Sequence, residues 1–334
     1  MSALPSRALG NTGMDITTVG LGAWAIGGEG WEHAWGPQDD AESIATIREA
    51  VAAGVNWLDT APIYGLGHSE EVVGEALAGL PANERPYVFT KCGLRWDPDD
   101  PMGPQQRDAR AIRWEVEQSL RRLRVERLDL LQVHWPPLHG PALDDYWQVM
   151  VDLKAAGVVR AVGLSNHDGV QVDAAEKIGH VDSLQPPLSL LRRDAGDVIG
   201  HCAAQRTGVI VYSPMESGLL SGSFTAARVA ALPANDWRRT AAEYTGDQLA
   251  RNLSLVDALR PIATRHEASV AAVAVAWTLA WPGVTGAIVG ARRTAQIGDM
   301  VAAARLVLSD ADLDDIATAL GATGAGSGPV RPTR

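Results

Sequence analysis

The chain has 334 residues, 46% of them hydrophobic, and a formal net charge of −11. That charge argues against nucleic acid and anionic membrane surfaces as partners, and no apolar stretch is long enough to span a bilayer. Residues 1–7 carry no apolar signal-peptide core, and two cysteines, Cys92 and Cys202, are too few for a disulfide framework, so a reducing, cytoplasmic location is the expectation.

Residues 7–16 read as a small β-hairpin around a glycine-containing turn, and 18–22 as a first strand. Helices and strands then alternate. A helix at 39–53 precedes a strand at 55–59. A helix at 69–80, with Ser69 as its predicted N-cap, precedes a strand at 87–91. Helix 108–123 leads to strand 128–134, and helix 143–156, stopped by Gly157, to strand 158–165. Helix 169–178 leads to strand 181–185, and helix 197–207 to strand 209–213. After an irregular stretch at 222–246 come helices at 247–266 and 269–280. A last strand at 286–289 is followed by a helix at 294–303, with Thr294 as its predicted N-cap.

Eight β-then-α units predict parallel pairing with right-handed crossovers. They point to one (β/α)8 TIM barrel over 1–320, with an N-terminal hairpin and a C-terminal helix. The Gly/Pro/Thr-rich residues 321–334 read as a flexible tail. No Gly-x-Gly-x-x-Gly fingerprint opens an early helix, which disfavours an open doubly wound sheet.

Asp59, Lys91 and His134 each end a short apolar run, the mark of a buried parallel strand delivering one polar group at its C-terminal end. Neighbouring strands lie about 4.8 Å apart, so the three share one rim. Tyr64 follows Asp59 by five residues, on the adjoining loop. Each alone is ordinarily structural: a capping Asp, a core His, a packing Tyr. Lysine is scarce, however, with only Lys91, Lys154 and Lys177 in the chain. Together the four residues describe a proton-transfer site. Lys91, paired with Asp59, is expected to lower the pKa of the Tyr64 phenol from its usual ~10. His134 is expected to orient a substrate oxygen that Tyr64 protonates. Cys92 reads as a small buried strand-end residue. The eight histidines show no paired spacing for a metal, so none is expected.

The segments Gly20-Leu21-Gly22-Ala23-Trp24, Asp59-Thr60-Ala61-Pro62-Ile63-Tyr64-Gly65 and Gly163-Leu164-Ser165-Asn166 are similar to those of the aldo-keto reductases, and the resemblance runs from about residue 7 to about 320. It implies a catalytic tetrad of Asp59, Tyr64, Lys91 and His134, with Tyr64 as general acid. It also implies a nicotinamide dinucleotide, usually NADPH (NADP+), with NADH as the alternative. Ser165, Asn166 and Gln185 match positions that hold the carboxamide, and Tyr212 the aromatic that stacks on the nicotinamide. Ala23, Trp24, Asp59, Ser213, Pro214 and Met215 complete that end of the site. Ser217, Gly218 and Leu219 offer backbone to the pyrophosphate. Gly290, Arg292 and Gln296, at the start of the last helix, would take the 2′-phosphate. Two positions depart from the family pattern: Asp299-Met300 stands where Glu-Asn is usual, and Leu188 where an aromatic is usual.

Eleven tryptophans against two phenylalanines is an unusual ratio. Trp24, Trp96 and Trp135 fall on rim loops and are the predicted substrate pocket, with Trp31 and Trp35 on the long first loop. Trp114, Trp147 and Trp277 read as packing. The resulting expectation is a reductase of small aldehydes or ketones. A sugar or polyol dehydrogenase using NAD(P), or a cofactor-sensing regulatory subunit, stand as alternatives.

Overall fold

The computed structural model describes residues 3–103, 105–138, 140–233 and 236–332. Eight strands close into a parallel barrel: Val19–Gly22, Trp57–Asp59, Tyr87–Cys92, Leu128–Val133, Val159–Ser165, Ser183–Gln185, Gly208–Val211 and Val284–Gly290. Each pairs with the next in sequence, and the eighth returns to the first through Ala287–Val19 and Gly290–Gly22. The (β/α)8 TIM barrel expected from the alternation is the observed fold.

The hairpin strands Ser6–Ala8 and Asp15–Thr17 plug the N-terminal end of the barrel. Their Leu9, Met14 and Ile16 pack on the interior layer of Trp57, Phe89, Leu130, Ala161, Ile210 and Ile288. Gly20 is required by that layer: a Cβ there would lie 2.2 Å from the Trp57 indole. The first motif is thus glycine-rich because a neighbouring strand sends tryptophan inward. The Arg7 guanidinium reaches the carbonyls of Val284 at 2.5 Å and Leu279 at 3.2 Å, stitching the hairpin to the final strand.

The outer helices bury one stripe each. In Ile112–Leu123 the buried apolar residues Ile112, Val116 and Leu123 recur at helical spacing. Asp39, Asp168, Ser269 and Ser309 cap their helices through side-chain acceptors. Two expected caps are corrected. Ser69 lies inside helix His68–Ala78, and its hydroxyl donates to the Ala23 carbonyl instead. Thr294 opens a 3-10 turn, Thr294–Gln296, and caps nothing.

The helix expected from 108 begins at Ile112. Asp108 is held by Arg110 and Arg95, and the preceding chain forms a two-residue hairpin, Leu94–Arg95 against Gln106–Arg107. The stretch 222–246 contains the short helix Ala226–Ala230 and the 3-10 turns Trp237–Arg239 and Ala242–Tyr244. The tail also differs from expectation. Helix Asp310–Thr323 continues through Gly321, Ala325 is buried, and the Ser327 and Gly328 carbonyls accept from Arg193. Among the described residues no helix is long and apolar enough to cross a membrane.

Candidate active site

The C-terminal rim of the barrel gathers the four predicted catalytic residues. Asp59 closes the second strand and is buried, as is Lys91 on the third. Lys91 Nζ donates to Asp59 Oδ1 at 2.5 Å and to the Thr60 carbonyl at 3.0 Å. Gln185 Nε2 donates to the other Asp59 oxygen at 3.0 Å. The tight Gly65 turn, at φ 62°, lets Tyr64 fold back over the rim. A Cβ on Gly65 would meet the Gly27 carbonyl oxygen at 2.2 Å. Lys91 Nζ lies 5.2 Å from the centre of the Tyr64 ring, and the His134 ring meets that ring edge-on at 5.8 Å.

The electrostatics follow from burial. Desolvation pushes the Asp59 carboxyl up and the Lys91 ammonium down, each opposed by the attraction of the other. Desolvation and the Lys91 and Arg107 charges hold His134 well below its usual pKa, so its imidazole is neutral. Its Nδ1 is buried without a hydrogen-bond partner. The expectation for Tyr64 is corrected. Burial, reinforced by Asp59, raises the phenol well above 10 rather than lowering it. The phenol therefore stays protonated across the neutral range. Burial and Glu115 also push the Cys92 thiol well up, which leaves it inert.

One hydrogen-bonded network joins the predicted carboxamide residues. Ser165 Oγ donates to the Gln185 carbonyl at 3.0 Å. Asn166 Nδ2 donates to the His134 carbonyl at 2.9 Å, and its Oδ1 accepts from the Tyr212 hydroxyl at 2.7 Å. Tyr212 therefore stands at the mouth with its ring position fixed. Ala23 N–H donates to the Asp59 carbonyl at 2.8 Å, tying the first strand end to the second.

Downstream, Ser213, Glu216, Ser217 and Gly218 all have positive φ, between 42° and 92°. Pro214 and Leu219 are buried, with Met215 packed against the core. The loop's amides mostly bond within it, from Glu216, Gly218 and Leu219 to Ser213, Met215 and Glu216. The loop is thus backbone held in left-handed conformations, with those amides already engaged.

Arg292 points elsewhere than the sequence suggests. Its guanidinium donates to Gln38 Oε1 at 2.8 Å, the Trp35 carbonyl at 3.3 Å and the Pro37 carbonyl at 2.6 Å. Gln296 accepts the Arg292 N–H at 2.8 Å, and Gly290 is exposed at the strand end. Met300 is buried in the core and turned away from solvent, as is Leu188.

The aromatic wall is larger than predicted. Trp96 and Trp135 pack with Tyr64 around Leu94. Trp24 stacks over Tyr64 with ring centres 6.3 Å apart. Trp31 approaches the Tyr64 ring at 6.1 Å, and Trp35 meets Trp24 edge-on at 5.8 Å. Trp237, in the irregular stretch, also stacks with Trp24, at 6.2 Å and 11°. Arg238 holds that stretch in place, with its guanidinium 4.6 Å from the Trp35 ring and bonded to the Ser217 carbonyl at 3.3 Å. Sequence reasoning missed Trp237, Arg238 and Gln38, which lie in segments without periodicity.

Comparison with known proteins agrees with this geometry. The model of the aldo/keto reductase family matches residues 18–320. The chain is 34% identical to the aldo-keto reductase YhdN of Bacillus subtilis, over 94% of this chain and 92% of that protein. It is 33% identical to the NADH-specific methylglyoxal reductase of Escherichia coli, over 91% of this chain and 94% of the other. The solved glycerol dehydrogenase of Gluconobacter oxydans superimposes with a TM-score of 0.87 at 34% identity, covering 100% of this chain and 99% of that one. With its closed barrel and the four rim residues in place, the chain belongs to the aldo/keto reductase family of oxidoreductases.

Proposed function

We propose that the protein reduces small aldehydes or ketones to alcohols with a nicotinamide dinucleotide, NADPH before NADH. The observation that carries this reading is Tyr64: a half-buried, protonated phenol between a neutral imidazole and a Lys–Asp pair, under a tryptophan wall. Ser165, Asn166, Gln185 and Tyr212 would hold the nicotinamide end, and the 213–219 loop the pyrophosphate. When bound, the dinucleotide supplies a hydride for the carbonyl carbon. Tyr64 delivers its proton to the carbonyl oxygen as negative charge develops there, so the product is a neutral alcohol. His134, neutral, donates to the same oxygen and fixes its direction. Lys91, kept cationic by Asp59, stabilises the phenolate left behind until it is reprotonated from solvent.

The similarity to a glycerol dehydrogenase favours a second direction, alcohol oxidation at the same site with the proton returning to Tyr64. A 2′-phosphate on the cofactor would draw Arg292 away from the 35–38 loop or meet the exposed Arg293 beside it; NADH requires neither. The test is Tyr64→Phe, assayed with both cofactors against a panel of neutral aldehydes and glycerol. Turnover should fall by about 10²–10⁴-fold, while cofactor binding, read from tryptophan quenching, stays within a few-fold. Turnover that survives the change removes Tyr64 from its role.

A further inference from the structure

One charge at the mouth is left over by this chemistry. Arg107 sits on the small hairpin after the third barrel strand, paired with Leu94, a member of the small apolar cluster on which Tyr64 packs. Its guanidinium carbon lies 4.3 Å from the centre of the Trp135 ring, and Trp135 directly follows His134. Two neighbouring arginines are neutralised by Asp108: Arg110 at 2.6 Å and Arg95 at 3.5 Å. Arg107 has no such partner among the described residues. Glu32, which accepts the Gln105 N–H at 3.3 Å, lies 3.7 Å from His33 Nε2 instead.

The stacking geometry matters. A guanidinium lying over an indole spends its face on the ring and keeps its N–H edge available. That edge is a rigid fork matched to a carboxylate or phosphate. Its field already reaches the site, since it helps hold the His134 imidazole neutral.

We propose that Arg107 selects carbonyl substrates that carry a carboxylate or phosphate, binding the anionic end at Trp135 while the carbonyl faces Tyr64 and His134. The inference rests on the reductase reading above and adds the substrate class to it. The protein's net charge of −11 makes this local cation more telling, because the overall charge does not favour anionic substrates.

The test compares 4-formylbenzoate with its methyl ester, which differ mainly in charge, using NADPH and NADH. The kcat/KM ratio of acid to ester should exceed about tenfold in the native protein, the size of one charge-assisted hydrogen bond. It should fall towards one in Arg107→Gln, keep an intermediate value in Arg107→Lys, and shrink in 0.5 M salt. Circular dichroism and urea midpoints check that each variant is folded. A native ratio near one, or a ratio that persists in Arg107→Gln, overturns the assignment of Arg107 while leaving the reductase reading intact. Failure of the native protein to reduce either compound with either cofactor overturns the reductase reading and this inference with it. Replacing the aryl acid with glyceraldehyde 3-phosphate, against glyceraldehyde, tells a phosphate preference from a carboxylate one.

Discussion

Replacing Lys91 with methionine isolates the energetics of the buried pair. The Lys91 side chain is 0% exposed and the Asp59 side chain 3%, so solvent does not screen their contact at 2.5 Å. Lys91→Met leaves a carboxylate in the barrel with one remaining side-chain donor, Gln185. An uncompensated buried charge of this kind costs about 3–5 kcal/mol. The cost depends on pH in a definite direction. Burial already raises the Asp59 carboxyl, and removing Lys91 takes away the two largest opposing effects. A carboxyl raised above its unfolded value contributes full stability below that value, near ~3.9, and loses it as pH rises through the folded pKa. The variant should therefore be close to native stability near pH 4–5 and lose about 1.4 kcal/mol per pH unit above that until the charge is fully formed. Urea unfolding midpoints between pH 5 and 8 read this out, with Asp59→Asn/Lys91→Met as control. The double variant buries no charge and should recover most of the loss at pH 8. A Lys91→Met penalty that is the same at pH 5 and 8, or a double variant no better than the single, refutes the reasoning.

Three further outcomes follow from the geometry. Arg292→Met should raise the KM for a neutral aldehyde several-fold even with NADH, because the guanidinium holds the 35–38 loop that carries Trp35; an effect seen only with NADPH would instead make it a reader of the 2′-phosphate. Burial raises the Glu115 carboxyl to about 7 while it accepts the Gly93 amide at 2.7 Å. Native stability should therefore fall as pH rises from about 4.5 past 7, by up to roughly 3 kcal/mol, and Glu115→Gln should flatten that slope in thermal unfolding; an equal slope in the variant excludes Glu115 as its source. With His134 held neutral and Tyr64 held protonated, kcat/KM for reduction should show no inflection near pH 6.5; a step there would mean that the imidazole titrates.

The legible parts of the sequence were those whose cause is local. An apolar run ended by one polar residue placed Asp59, Lys91 and His134 on the rim, because a parallel strand buries both faces and releases its last side chain at the mouth. Caps were less legible: Ser69 and Thr294 were expected to cap and do not, while Ser269 and Ser309 do. The rest depends on partners far along the chain. Arg292 looks like a phosphate reader from its place at a helix start, yet its acceptors lie some 250 residues earlier. The Tyr64 phenol looked acidified because Lys91 is near; only the fold shows that burial, with the Asp59 charge, dominates. Trp237 and Arg238 sit in a stretch with no period to read, and what gives them a role is Trp24 and Trp35 across the mouth.

The closure of the barrel also carries a cost in time. Val19–Gly22 pairs with Val284–Gly290, and Arg7 reaches carbonyls of residues 279 and 284. During synthesis the first strand therefore waits for a partner roughly 265 residues further on, which at about 5–20 residues per second is on the order of tens of seconds. For that interval the nascent chain presents an unpaired, glycine-rich strand edge, the kind of surface that other chains pair with. The hairpin plug shares that wait, because Arg7 and the layer beneath it also depend on residues 279–288.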